Sequence, residues 1–210
     1  MGKMLRRDEW GFIGQHNADY PDYFDMGDTS RSTGLMAMFG SQHDMQLLPL
    51  LVVPDVNGTL RLVRHPFDSQ WSRTDLMSRD QVLCIAGAMC DSNAVRGALY
   101  NYAKQGWINK DILLPHHRYV LYKAAGFGIP WWIKMLGIPM LHLHVSYQEI
   151  VGGEPNQTLA MLNVHGDKKM YSNFRKHCLN DMYVYWSGHP WRDQYEIYGK
   201  FTEYVGPDEN

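Results

Sequence analysis

The stretch WSRTDLMSRDQVLCIAGAM, Trp71 to Met89, decides the fold. Its first half is polar and crowded with charge, and its second half is almost wholly apolar. Ser78 with Gln81 three positions on fits a capping box, in which each side chain satisfies a free backbone N–H of the other's turn. Asp80 then falls in the first helical turn, where the helix dipole favours a negative charge. From Val82 to Met89 apolar residues fall on every side, the pattern of a helix buried all round. A buried helix that opens with Arg79, Asp80 and Gln81 puts three strong hydrogen-bonding groups at the edge of a core. That edge is the candidate site.

Working outward, Asp28 or Thr29 can cap a helix that carries Arg31 and Gly34 and closes at Gly40. Residues 1–28 are polar with isolated aromatics and read as an extended arm lying over a surface. The runs LLPLLVV (47–53) and TLRLV (59–63) flank Asn57-Gly58, a reverse-turn signal. They predict a small β-hairpin or irregular loop pair near 47–63, with Pro49 demoting the first arm to an edge. After the central helix, Ser92 opens a helix to Gln105 in which Val95, Ala98, Leu99 and Tyr102 share a face. Pro115 fits the first turn of the next, stopped by Gly126. A short helical turn from Pro130 carries Trp131 and Trp132, two rings able to cover a large apolar area.

Residues 141–148 (LHLHVSYQ) alternate like a strand, while Pro139 and Gly152-Gly153 frame them as a helix. The helical neighbours favour helix. Residues 156–165 form another, and 168–186 have a stripe of Met170, Phe174, Cys178, Met182 and Tyr185. Pro190 opens a last helix to about Tyr204, and 206–210 are a polar tail. The expected fold is therefore mainly α: an array of helical hairpins over residues 29–205 with the small insertion near 47–63.

Composition narrows the function. The 210 residues suffice for one domain with an arm, and 45% of them are hydrophobic, which excludes a disordered chain. A net charge of −2 disfavours a nucleic-acid partner. No apolar run reaches the ~18 residues of a membrane span, and no signal peptide is visible, so cytoplasmic synthesis without membrane insertion is expected. Cys84, Cys90 and Cys178 form no CxxC pair and read as reduced thiols. His116-His117 and His142-Leu-His144 could reach a metal, but no HExxH or Cys-His set accompanies them, and no metal is expected. No GxSxG, Walker loop or GxGxxG occurs, and no cofactor is expected.

One internal echo remains. Trp71-Ser72 precedes Arg79-Asp80-Gln81, and Trp186-Ser187 precedes Arg192-Asp193-Gln194. Read as a duplication, it implies two hairpins arranged alike; the alternative is chance. Gly27-Asp28-Thr29 with Arg31, Ser78-Arg79-Asp80-Gln81, and Tyr185-Trp186 followed by Arg192-Asp193-Gln194 together resemble the (α/α) toroid carbohydrate-active proteins, of a kind also seen in tailed-phage genomes. The resemblance implies a partial ring of hairpins around a polar, aromatic-lined centre. Such a centre binds a glycan and, in an enzyme, cleaves it by glycoside hydrolase- or lyase-like chemistry.

Glycan cleavage commonly needs two carboxyl groups flanking the bond. Asp28 and Asp80 are the expected pair, with Asp193 third. Arg31, Arg79, Gln81 and Arg192 would orient them or bind sugar hydroxyls. Trp71, Trp186 and Trp191, with Trp131 and Trp132, would stack on sugar faces. The plainer alternative is that the acids and arginines are buried ion pairs locking helix ends, and the tryptophans core. A second functional expectation is a structural or assembly component, such as part of a phage virion. It would hold neighbouring subunits, in a homo-oligomer or larger assembly, through its N-terminal arm and aromatic surface. Aromatic content of 13% and 13 methionines suit such contacts.

Overall fold

The computed structural model describes residues 4–16, 24–151 and 155–177. Among these the chain is mainly helical, as the apolar periodicity predicts. Strands β1 (Met4–Arg7), β2 (Ile13–His16) and β3 (Phe24–Asp25) form an antiparallel meander with Met4 opposite His16. Helices α1 (Thr29–Met38) and α2 (Gln42–Leu47) lead through a 3-10 turn, Leu48–Leu51, into the hairpin of β4 (Val52–Pro54) and β5 (Leu60–Leu62). Then come α3 (Arg79–Gly87), α4 (Asn93–Gln105), the minimal hairpin β6 (Trp107–Ile108) and β7 (Asp111–Ile112), and α5 (Pro115–Ala125). Helices α6 (Trp131–Val151), α7 (Pro155–His165) and α8 (Lys168–His177) complete the described residues.

Helix α3 is central because it is covered twice. It packs on α1 on one side and α7 on the other, and every residue from Gln81 to Gly87 is buried. Small residues let the backbones meet. A Cβ on Gly34 would stand 2.7 Å from the Cys84 carbonyl carbon and the Ile85 nitrogen, and one on Gly87 would stand 2.7 Å from the Ala160 Cβ. Cys84 packs with Leu35, Met36, Ala160 and Ile13, while Leu83 and Ile85 join the main core with Leu48, Leu62, Val95 and Leu121. Helix α5 packs against α4 and α6.

Residues expected as an extended arm are anchored. Phe12 is fully buried, Arg7 grips both oxygens of the buried Asp44 at 2.9 and 2.8 Å, and Asp8 meets the buried His65 at 2.8 Å. The Trp10 ring packs on His65 and Phe67.

Three expectations are corrected. The sequence predicts a hairpin or irregular loop with its first arm over 47–53, yet Leu47–Leu51 is helical and only Val52–Pro54 pairs. Ser41 caps α2 by accepting from the Asp44 N–H at 3.3 Å. Pro49 sits at the start of the 3-10 turn, where a missing N–H costs nothing. Residues 131–151 are one helix rather than a turn and a separate segment. Its Pro139 lies on the exposed side, and the strand-like alternation of 141–148 falls partly inward (Leu141, Val145) and partly outward (Leu143, Tyr147). Finally, Trp131 is 73% exposed and Trp132 lies under the Arg118 guanidinium at 5.1 Å, so neither ring is core. The later part of the 168–186 helix with Cys178, the final helix and the polar tail lie outside the described residues.

Candidate functional site

The N-terminus of α3 is built as the capping pattern predicts. The Ser78 N–H donates to Gln81 Oε1 at 3.1 Å, and Gln81 Nε2 donates to the Gly27 carbonyl at 2.7 Å. Arg64 reaches the same carbonyl with Nη1 at 3.2 Å and the Leu76 carbonyl with Nε at 2.6 Å. Its guanidinium lies 5.1 Å from the centre of the Trp71 ring. The turn before α1 is thereby stitched to the turn before α3.

That stitching brings two acids together across one cation. Arg31 is almost fully buried on α1, and its Nη2 lies 2.5 Å from Asp28 Oδ2 while its Nη1 lies 3.4 Å from Asp80 Oδ2. The carboxylates stay partly open, with 30% of the Asp28 side chain and 33% of the Asp80 side chain exposed. Asp28 and Asp80, 52 positions apart in sequence, thus share a guanidinium at the solvent edge of the buried helix.

The remaining expected site residues separate. Gln81 is buried and spends both ends of its amide on backbone, so it holds the frame. Trp71 backs Arg64. Arg79, though adjacent to Asp80, turns the other way, toward α7, where its Nε lies 3.4 Å from Gln157 Oε1. Asp193, Arg192, Trp186 and Trp191 lie outside the described residues, as does the second copy of the echo.

Near Arg79 lies a cluster that the motifs did not assemble. His116 and His117 on α5 stand ring to ring at 3.9 Å, and His144 on α6 is 5.1 Å from His116. His144 Nε2 lies 3.1 Å from Thr158 Oγ1. Both ring nitrogens of His116 and the Nε2 of His117 are buried without a hydrogen-bond partner. Burial, then His144 and the Arg79 charge, push His116 down to about 4. Burial, then the neighbouring His116, push His117 down to about 2, and burial with Arg79 brings His144 to about 4. The three rings are therefore neutral near pH 7. The other half of the HxH motif, His142, faces His165 instead, with ring centres 5.7 Å apart, because residues two apart on a helix point in different directions.

Among the described residues no three His, Cys, Asp or Glu side chains are arranged to hold a metal ion, and no helix is long and apolar enough to cross a membrane. Compared with known families, curated proteins and solved structures, the chain matches none of them.

Proposed function

We propose that the open edge of α3 binds a glycan, with Asp28 and Asp80 as the working carboxyl pair and Arg31 holding them. The reading rests on one observation: carboxylates from distant segments share one buried guanidinium while each keeps about a third of its side chain exposed. Ionised carboxylates are pure acceptors, suited to the O–H donors of a sugar. Two acids that share one guanidinium are near enough to flank a single glycosidic bond, for which separations of about 5–9.5 Å are used. Hydrolase- or lyase-like cleavage is the fuller form of this proposal.

Asp80→Asn tests it. Arg31 keeps its shorter pair with Asp28, and the Asp80 contact is longer and a third exposed, so the variant should stay folded and lose about 1 kcal/mol of stability. On an oligosaccharide array the wild-type chain should bind and Asp80→Asn should not, and any glycan cleavage should vanish with it. Equal binding by both proteins rejects the proposal.

A second reading, that the protein is an assembly component, is favoured by α6. Its outer side presents Trp132, Met135, Leu136, Leu143, Tyr147 and Ile150, with Leu143 70% and Ile150 85% exposed. The helix is about 30 Å long at 1.5 Å per residue, and such a run of exposed apolar groups marks a contact surface. The proposed occupant is a second copy of the chain, its α6 antiparallel to the first. The N-terminal segment is tied to its own body and is the weaker candidate for the grip. By light scattering on a sizing column the chain should run as a dimer, and Leu143→Asp should be a folded monomer. A monomeric wild type removes this reading.

A further inference from the structure

We infer that Arg79, His116, His117, His144 and Thr158 form a binding site for a small oxyanion, a carboxylate or phosphate group. His117 Nδ1 accepts the Leu114 N–H at 3.2 Å, so in the neutral ring the hydrogen sits on Nε2. That Nε2–H is buried and has no acceptor. His116 adds a second buried ring with neither its N–H nor its lone pair engaged. Native structures seldom keep buried donors without a partner, and such groups point to something that binds there.

The surroundings set the sign of the ligand. On α3 the charged group facing the rings is Arg79; on α5 and α6 they face only one another, and α7 contributes the neutral Gln157 and Thr158. The Arg79 charge acts on all three rings. Arg79 opens α3, whose positive dipole end adds to the same field. A metal cation fits poorly, because the outward nitrogen of His117 carries a hydrogen and Arg79 repels positive charge. An oxygen anion fits, since it accepts from the His117 and His116 N–H groups and pairs with the guanidinium. Arg79 and His144 are only half-buried, so the cluster reaches the surface on their side. The site is separate from the Asp28–Arg31–Asp80 pair, which faces α1, so it does not depend on the glycan reading.

The full-length chain is titrated calorimetrically at constant ionic strength with inorganic phosphate and, separately, with acetate. Saturable binding of phosphate alone assigns a phosphoryl group, of acetate alone a carboxylate, and either supports the site. His116→Phe keeps the ring volume, removes both nitrogens, and should weaken that binding by about tenfold or more. Arg79→Gln, at a half-buried surface position, should do the same and covers the case in which His116→Phe does not fold. A bound anion stabilises the imidazolium form, so binding takes up protons and affinity rises as pH falls from about 7 toward about 5, above the free-state value of about 4 for His116 and His144. Heats measured in buffers of different ionisation enthalpy read that uptake directly, and a purely structural pocket would show none. No saturable binding of either anion overturns the proposal. So does equal binding by the variants, which marks an adventitious ion only. Stabilisation by Zn²⁺ that His116→Phe abolishes overturns it in favour of a metal.

Discussion

Acidification from pH 7 toward about pH 4 is expected to unfold the protein, and three imidazoles carry the effect. His116 and His144 are pushed from 6.5 to about 4 and His117 to about 2, chiefly by burial. In the unfolded chain all three take up a proton near pH 6.5, while in the folded chain they remain neutral. Below pH 6.5 the unfolded state therefore binds more protons, and stability falls as pH falls until the folded-state values are reached. His116 alone drops from 6.5 to about 4; at roughly 1.4 kcal/mol per unit this is roughly 3 kcal/mol. Against a total of about 5–15 kcal/mol, that is a large share. Urea denaturation followed by circular dichroism should show a midpoint falling steadily from pH 6.5 downward. His116→Phe, which has no proton to gain, should move acid unfolding to lower pH. A midpoint that stays flat to pH 4.5 contradicts neutral buried rings.

Gly34→Val is expected to abolish folding. The first added carbon would stand 2.7 Å from the Cys84 carbonyl carbon and the Ile85 nitrogen and 2.8 Å from the Cys84 oxygen. All three are backbone atoms of the central helix, so no side chain can rotate aside. Even Gly34→Ala forces α1 and α3 apart, an overpacking cost of about 1–3 kcal/mol, and valine adds two more carbons in the same gap. Gly128 is the control, since nothing lies within 4 Å of an added Cβ there. Thermal unfolding should leave Gly128→Ala near wild type, lower the midpoint of Gly34→Ala by several degrees, and show no cooperative transition for Gly34→Val. A cooperative melt for the valine variant would mean that the two helices do not touch as described.

What could be read from sequence was whatever local chemistry decides. The glycines at 106 and 126 stop α4 and α5 in the left-handed conformation, and Ser78 with Gln81 starts α3. The pairing of Asp28 and Asp80 was legible only as a suspicion, because the connection runs through Arg31, Gln81 and Arg64 meeting in space. The histidine cluster was half legible. HH and HxH were visible motifs, but one position of HxH turns to His165, and the partners of the other come from α5 and α7. Strict alternation at 141–148 suggests a strand while the helical neighbours favour the helix that is found, since a helix that is apolar on its outer side as well as its inner one imitates a strand. The anchoring of residues 4–16 depended on Asp44 and His65, two polar side chains whose burial no periodicity announces.

The double cover on the central helix has a consequence for biosynthesis. About seventy residues separate Gly87, where α3 ends, from Pro155, where α7 begins. At about 5–20 residues per second, a ribosome needs some 4–14 s to supply that second cover. Through this interval Val82, Cys84 and Ile85 emerge with one flank shielded by α1 and the other bare. The nascent chain therefore passes through a stage that displays a half-covered apolar helix, and that helix is where a holdase chaperone would engage it.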